Sequence, residues 1–294
     1  MGKLTSKLSF NARCFLYKCL VHILQFNSLL PILVTKFRSS NTRIKTSPLY
    51  VVPRFDDASI DQYEVAFPLL EDFQCKAVIA VATAHIGKQI IKEGDRHYRP
   101  IDEWSKLKEI VDAGWDVLPH GRHHLSRGPY MFLCERDLLN EVAGPKIDIL
   151  ENLGVSPNTF IPPGLTTHQN PLGRREIKAI FRYYNTLIMN SGYNYPTPIF
   201  NDLKTGHKEA SRILWSIPST DTDKWIRTFL SFTAKLKHCC KGRLVVIVFF
   251  HEVYDLSDKR TRYGFSKSRL KYLIKGLQEQ EIPITSLSEA LTLR

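Results

Sequence analysis

The sequence has little of what marks a disulfide scaffold, a disordered chain or a nucleotide-binding loop. Its six cysteines show no CxxC pair and no even spacing, which argues against a zinc ribbon and indicates reduced thiols in a cytosolic setting. Gly and Pro number only 15 and 16 in 294 residues and 43% of the residues are hydrophobic, so extended disorder is excluded. Internal repeats, low-complexity tracts and a Gly-rich phosphate loop are also absent. The chain is therefore expected to fold around a large apolar core.

Acidic side chains are missing from residues 1–46, which carry eight Lys and Arg residues. Eight of the twelve net positive charges of the protein thus lie in this segment, and the rest of the chain is only mildly basic. The electrostatic footprint of a nucleic-acid-binding domain is a strongly basic folded surface. We therefore expect no nucleic-acid partner.

Residues 15–34 form an apolar stretch of 20 residues that polar side chains interrupt and that contains a proline in its last turn. A central Lys costs a free-standing membrane span about 2.5–3.5 kcal/mol, and no cleavage site marks a secretory signal. The pattern favours a basic amphipathic segment on an anionic membrane surface. A helix packed on the main domain, a poorly ordered tail and a signal anchor remain alternatives. We predict a helical N-terminal extension over residues 1–46 and a main domain over 47–294, cytoplasmic or peripheral at the inner face of the membrane.

Short apolar runs alternate with amphipathic patterns from residue 48 onward, which predicts about seven β/α repeats around a largely parallel sheet. The helix over 135–154 is expected to be interrupted near Gly144 and Pro145, and the chain is expected to close with a short strand and a turn. Strands are predicted at 49–52, 76–83, 115–119, 158–162, 185–189, 212–217 and 243–250. Helices are predicted at 61–73, 102–114, 135–154, 172–184, 222–237 and 265–280.

Ionisable side chains follow three of these strands at their carboxyl ends, where parallel sheets place their chemistry. The first strand ends in Asp56 and Asp57, the third runs into HGRHH at 120–124, and the late strand runs into His251. Taken singly, the two aspartates fit a solvated turn and each histidine fits a structural hydrogen bond. Taken together, one Asp and two His can supply three ligands to a divalent metal and leave a position open for water. The remaining Asp and His are available for acid–base chemistry.

These motifs resemble those of the polysaccharide deacetylases with the NodB homology domain, also called carbohydrate esterase family 4. The resemblance covers residues 48–293, and it implies a distorted (β/α)7-type barrel. RFDDAS (54–59) is similar to the family's TFDDG motif, and HGRHH is similar to its H-[S/T]-x-x-H motif, with Gly121 in place of the hydroxyl residue. FIPPG (160–164) is similar to the family's R-x-P-x-G motif, and VFFHE is similar to its L-x-H motif.

The resemblance implies a metal-dependent hydrolase that removes N-acetyl groups from amino sugars of a glycan or glycan precursor. Asp56 would be the catalytic base and His251 the general acid. A divalent metal, expected to be zinc, would be bound by Asp57, His120 and His124. Its charge would allow the two adjacent aspartates to ionise side by side and would make water acidic enough to form hydroxide near neutral pH.

Further residues are expected to support this chemistry, each with a structural role as the alternative. A carboxylate partner would hold His251 cationic, an aromatic side chain would line the acetyl pocket, and a backbone N–H would stabilise the oxyanion. His123 is expected to point away from the metal and to make a structural hydrogen bond. The candidates are Asp221 or Asp223 for the carboxylate, Trp215 or Trp225 for the pocket, and the turn Pro163–Gly164–Leu165 for the N–H.

The sequence departs from the family pattern at Ile161, which stands where the family's third motif has an Arg that orients the catalytic Asp. Arg54 lies just before the aspartates and is close enough to reach them. Two interpretations follow. The first is an N-deacetylase acting on a lipid-linked or nucleotide-linked saccharide at the cytosolic membrane face. The second is a carbohydrate-binding protein on the same fold without turnover.

Overall fold

Residues 49–93, 96–125, 130–164, 172–190, 201–202, 213–239, 243–255 and 264–292 are described by the structure, which is a computed structural model. The predicted N-terminal extension, residues 1–46, lies outside these residues, and so does Leu165. Among the described residues, no helix combines the length and the apolar character that crossing a membrane requires.

The described residues form strands and helices in alternation along most of the chain. The strands are β1 (Leu49–Asp56), β2 (Val78–Val81), β3 (Ile91–Glu93), β4 (Arg96–Tyr98), β5 (Asp116–Pro119), β6 (Thr159–Phe160), β7 (Thr186–Asn190), β8 (Asn201–Asp202), β9 (Ile213–Pro218), β10 (Leu244–Phe250), β11 (Val253–Tyr254) and β12 (Phe265–Ser266). The helices are α1 (Phe67–Asp72), α2 (Trp104–Asp112), α3 (Glu135–Leu153), α4 (Arg174–Tyr183), α5 (Asp223–Cys239), α6 (Lys267–Glu279) and α7 (Leu287–Thr292).

Seven parallel strands form a nearly closed barrel in the order β5-β2-β1-β10-β9-β7-β6. The two edge strands approach each other, because the backbone N–H of Ile161, just after β6, donates to the carbonyl of Pro119 on β5 at 3.0 Å. The short strand β8 pairs antiparallel with β10, and β3 and β4 form a separate antiparallel pair. The prediction of a distorted (β/α)7-type barrel is confirmed.

The alternation of side chains along β1 explains why charged residues lie inside the barrel. Tyr50 and Val52 belong to the apolar cluster that fills the barrel, whereas Val51 and Phe55 pack in the cluster under the outer helices. Because strand side chains alternate between the two faces, Arg54 and Asp56 share the inward face with Tyr50 and Val52. The carboxyl end of β1 therefore carries its charges into the barrel mouth.

The opposite end of the barrel is closed by α7, where the sequence predicted only a turn. Leu287 and Ala290 of this helix join the interior cluster, and the Asp116 carboxylate accepts hydrogen bonds from the backbone N–H of Ser288 at 2.7 Å and from its hydroxyl at 2.6 Å. The predicted short strand before it is reduced to a single bridge between Ile284 and Val51. The amino ends of the strands are thus packed, and the carboxyl ends carry the polar groups.

Two helix predictions differ from the structure. Helix α3 runs through Pro145 without the expected interruption, because its buried residues lie on both sides of the proline and packing holds the two halves in line. The helix predicted over 61–73 is divided into a π-helical turn, Gln62–Ala66, and α1. Such π-helical turns are frequent at functional sites.

Candidate metal and catalytic site

Asp57, His120 and His124 meet at the mouth of the barrel and form a candidate metal site. Asp57 follows β1, and both histidines follow β5, the neighbour of β2. The Asp57 Oδ1 atom lies 2.8 Å from His124 Nε2 and 3.5 Å from His120 Nε2, and the three ligand atoms all lie within 4.8 Å of one another. All three side chains are buried. One carboxylate and two imidazoles are a donor set that suits zinc and related divalent metals.

The backbone around these three residues is held in a conformation that few residues adopt. Asp57 and His124 have φ angles of 76° and 53°, and Gly121 between the two histidines has a φ of 73°. Non-glycine residues with such left-handed angles carry a strain of about 1–3 kcal/mol each and cluster at functional sites. Neither histidine lies on a helix or a strand.

His120 is oriented by the backbone of Ile161. The Nδ1 atom of His120 lies 2.9 Å from the Ile161 carbonyl oxygen, which can only accept, so Nδ1 carries the proton and Nε2 presents its lone pair to Asp57 and His124. Burial, followed by the neighbouring His124, lowers the pKa of His120 to about 3, against the opposing effect of Asp57. A neutral imidazole with its second nitrogen fixed by a carbonyl is the form that binds metals.

Asp56, which precedes the candidate metal ligand Asp57, forms a bidentate pair with Arg54. The Nε atom of Arg54 donates to Asp56 Oδ1 at 2.7 Å, and its Nη2 atom donates to Asp56 Oδ2 at 2.5 Å. Both side chains are almost fully buried. A bidentate pair of this kind fixes the carboxylate in one orientation.

The interior of the barrel supplies the remaining partners of Arg54. Its Nη1 atom donates to the Ser216 hydroxyl at 3.0 Å, and its Nη2 atom donates to Asn190 Oδ1 at 2.7 Å. The guanidinium carbon lies 4.8 Å from the centre of the Phe249 ring. Asn190 in turn donates to the Gly164 carbonyl at 2.9 Å. Each of the three guanidinium nitrogens thus donates a hydrogen bond, which offsets the free-energy cost of burying the charge.

His251 directly follows β10, the strand that pairs with β1, and β1 ends at Asp56. Gln62, the first residue of the π-helical turn, joins the two strand ends: its Nε2 atom donates to the Asp56 carbonyl at 2.6 Å and to the His251 carbonyl at 2.9 Å. Gln62 is buried, and no motif in the sequence pointed to it. Gln62 therefore joins the backbones of the two residues predicted to act as base and acid.

The carboxylates suggested as partners of His251 have other contacts in the structure. Asp221 accepts hydrogen bonds from the Ser266 backbone and hydroxyl, both at 3.0 Å, from the Tyr254 hydroxyl and from Arg269 at 3.1 Å. Asp223 forms an ion pair with Arg269 at 2.8 Å. These hydrogen bonds and the Arg269 charge lower the pKa of Asp221 against the effect of burial. Their pairing with His251 stays a prediction.

The residues suggested for the acetyl pocket and for the oxyanion N–H lie in different parts of the structure. Trp225 stacks on Phe229 with ring centres 5.1 Å apart and packs in the cluster under the outer helices, which accounts for it as a packing residue. The side chain of Trp215 is outside the described atoms. Pro163 is buried, and Gly164 has a φ of 72°, a left-handed angle that favours glycine.

The loop between the two histidine ligands is fastened to α3. Glu141 accepts hydrogen bonds from the backbone N–H groups of Arg122 and His123, both at 3.1 Å, and its other oxygen contacts His123 Nδ1. This contact agrees with the expectation that His123 makes a structural hydrogen bond. The Arg122 side chain reaches Asn140 at 2.5 Å and Asp148 at 3.1 Å.

Residues 43–178 match the family model described as polysaccharide deacetylase. No curated protein matches the chain. Among solved structures, the chain is similar to a CE4 family pseudoenzyme from Bacillus anthracis, at 14% identity over 84% of this chain and 66% of that one, with a TM-score of 0.50. A mutant of that pseudoenzyme with restored enzymatic activity matches at 14% identity over 84% and 68% of the two chains, with a TM-score of 0.51.

A structure of T48 deacetylase with substrate matches at 17% identity over 82% of this chain and 90% of that one, with a TM-score of 0.49. At 14% identity, the matches to the pseudoenzyme and to its mutant show the fold alone. The family model, the nearly closed parallel barrel and the Asp–His–His cluster at its mouth all agree with the motifs in the sequence. The chain therefore resembles the polysaccharide deacetylase family, whose model matches residues 43–178, and shares the fold of CE4 family proteins.

Proposed function

We propose that the chain is a metal-dependent hydrolase that removes N-acetyl groups from the amino sugars of a glycan or glycan precursor. The observation that carries the proposal is the bidentate contact between Arg54 and Asp56, directly beside the cluster of Asp57, His120 and His124. A binding protein has no use for a buried carboxylate that is fixed in one orientation at the barrel mouth. A general base requires one.

Asp57, His120 and His124 would hold the divalent ion, which when bound polarises the acyl carbonyl and makes water more acidic. Asp56 takes the proton of the attacking water. Arg54 occupies one lone pair on each Asp56 oxygen, and a carboxylate has about four such acceptor positions, so Asp56 keeps acceptor capacity for the water.

His251, which follows the neighbouring strand β10, protonates the departing amine nitrogen. The shared contact of Gln62 with the carbonyl groups of Asp56 and His251 keeps the two strand ends at a fixed separation. Gly164 lies in the loop that supplies a backbone N–H to the oxyanion, and Asn190 holds the carbonyl of Gly164 in place. Positioning of base, acid and oxyanion donor accounts for a large part of catalysis.

The second candidate is a carbohydrate-binding protein on the same fold without turnover. Two observations favour it: Ile161 stands where the family has an orienting Arg, and Asp221 and Asp223 are engaged by Arg269. The Ile161 side chain is fully buried and belongs to the interior apolar cluster. Arg54, reaching the same carboxylate from β1, supports the enzyme over the binder.

Release of acetate from a panel of N-acetylated saccharides, with and without a chelator, separates the two candidates. The enzyme predicts release from at least one saccharide that the chelator abolishes and that added zinc or cobalt restores. Saccharide binding without any acetate release would support the second candidate. The panel includes lipid-linked, nucleotide-linked and free oligosaccharides, because the substrate class is part of the proposal.

A further inference from the structure

The loop that carries His120 and His124 is the least regular part of the candidate site. Gly121 and His124 both have left-handed φ angles, and the segment contains no helix or strand of its own. A Cβ atom at Gly121 would approach the Tyr130 hydroxyl to 2.8 Å, so the turn has no space to relax toward that side. Some group outside the loop must therefore keep the two imidazoles at a fixed separation.

Glu141 on α3 is that group. Its Oε2 atom accepts the N–H groups of two consecutive residues, Arg122 and His123, which lie between the two ligands, and its Oε1 atom contacts His123 Nδ1. The side chain of Glu141 is 3% exposed. Charge-assisted hydrogen bonds to backbone N–H groups are among the strong ones, and they fix the backbone rather than a side chain.

A neighbouring contact provides the comparison. Asn140, adjacent to Glu141 on α3, accepts a hydrogen bond from the Arg122 side chain at 2.5 Å and is exposed. It joins the same helix to the same loop, but through a flexible guanidinium instead of the backbone. Loss of the Asn140 contact leaves the peptide groups between the ligands in place.

We propose that Glu141 is a positioning residue for the metal ligands: by holding the peptide groups between His120 and His124, it sets the geometry in which both imidazoles bind one ion. The inference rests on the proposed function, since it assigns Glu141 a role toward the metal. Mutation of residues that hold metal ligands in this way typically weakens metal binding by about 10–100-fold.

The test is Co²⁺ affinity, measured by competition with a chromophoric chelator and by the visible absorption of the bound ion. Full-length parent, Glu141→Gln, Glu141→Ala and the control Asn140→Ala are compared, with circular dichroism and thermal unfolding of the metal-free proteins. We expect Co²⁺ binding about 10–100-fold weaker and an altered absorption spectrum in both Glu141 variants. Asn140→Ala should remain within about threefold of the parent, because its contact does not involve the backbone.

A merely structural role for Glu141 would lower the unfolding temperature and leave the Co²⁺ affinity and spectrum of the folded protein unchanged, and that result overturns the inference. Glu141→Gln keeps the shape of the side chain, so its Co²⁺ affinity and spectrum test the inference even if Glu141→Ala does not fold. Failure of the parent itself to bind Co²⁺ would contradict the proposed function together with this role. Normal binding by the parent and by both Glu141 variants would contradict the role alone.

Discussion

Arg54 and Asp56 lie two residues apart on β1, and inside the barrel the guanidinium of the first contacts both carboxylate oxygens of the second. A β-strand places residues i and i+2 on the same face, so the pair needs no distant part of the chain to form. Two strands that do not pair with β1, β7 and β9, then supply the remaining hydrogen bonds through Asn190 and Ser216. The proposed base and the group that orients it thus lie within a single three-residue segment.

Replacing Arg54 tests this pair. Arg54→Met should destabilise the fold by about 3–5 kcal/mol, because it leaves the Asp56 charge buried without its partner. Arg54→Lys keeps a positive charge but loses the bidentate geometry, so acetate release should fall by about 10²-fold while metal content stays unchanged. Denaturant unfolding, metal analysis and turnover measure the three effects.

The double variant Arg54→Met/Asp56→Leu is the matched control for stability. Removing both charges leaves no uncompensated ion, so most of the stability lost in Arg54→Met should return. A double variant as unstable as Arg54→Met alone would show that packing around Arg54, rather than its charge, accounts for the loss.

Removal of one imidazole tests the metal site. Purified parent protein should carry close to one divalent ion, with zinc expected, and His120→Ala should lose most of it because a three-ligand site does not tolerate the loss of an imidazole. Metal analysis after dialysis measures the content. His97→Ala is the control, since His97 is an exposed histidine on β4 and lies outside the cluster. Full occupancy in His120→Ala would show that the ion is bound elsewhere.

Asp61 gives a prediction about the dependence of stability on pH. Burial raises its pKa to about 6, although its carboxylate accepts the backbone N–H of Val253. A raised pKa means that the folded protein holds this proton more tightly than the unfolded chain does. The stability contributed by protonated Asp61 is therefore present below about pH 4 and is lost as the pH rises through about 6.

Asp61→Asn keeps an oxygen that can accept the Val253 N–H and removes the ionisation. The variant should match the parent in unfolding free energy near pH 4 and exceed it by up to about 3 kcal/mol at pH 7.5. Denaturant titrations of the two proteins across this pH range measure the difference in unfolding free energy. The contributions of all other titrating groups cancel in this difference, because both proteins contain them. A constant difference across the range would contradict the raised pKa.

Residues 1–46 should confer binding to anionic vesicles that weakens with salt, because this segment carries eight basic residues and no acidic ones. Vesicle co-sedimentation of the full chain and of a truncated chain lacking residues 1–46 measures the effect. The truncated chain should stay folded and keep its metal. Collapse of the fold on truncation would favour a packed helix over membrane binding.

The parallel barrel could be predicted because its seven strands are short apolar runs separated by amphipathic helices, a pattern that local residues determine. The metal candidates followed from the same logic, since the ends of parallel strands meet at one edge. Pro145 misled the prediction for α3, because tertiary packing holds a helix together where local propensity would break it.

Other parts of the site could not be read from the sequence. Gln62 and Glu141 act through contacts to segments far along the chain, with no motif to mark them. Asn190 and Ser216 lie at or near the carboxyl ends of predicted strands, and that position was a signal that the sequence offered. The sequence showed only that Arg54 is close enough along the chain to reach Asp56. The contact itself, which replaces an arginine at position 161, could be inferred only once β1 was known to turn both side chains into the barrel.

The central claim, that Asp56 is a general base, is tested most directly by acetate release from the best saccharide of the panel by Asp56→Asn. The exchange keeps the shape and removes the basic oxygen. Turnover should fall by about 10²–10⁴-fold, the usual contribution of a positioned general base, while metal content and saccharide affinity stay close to the parent. Asp57→Asn should instead lose metal and activity together. Equal turnover by Asp56→Asn and the parent would contradict the account.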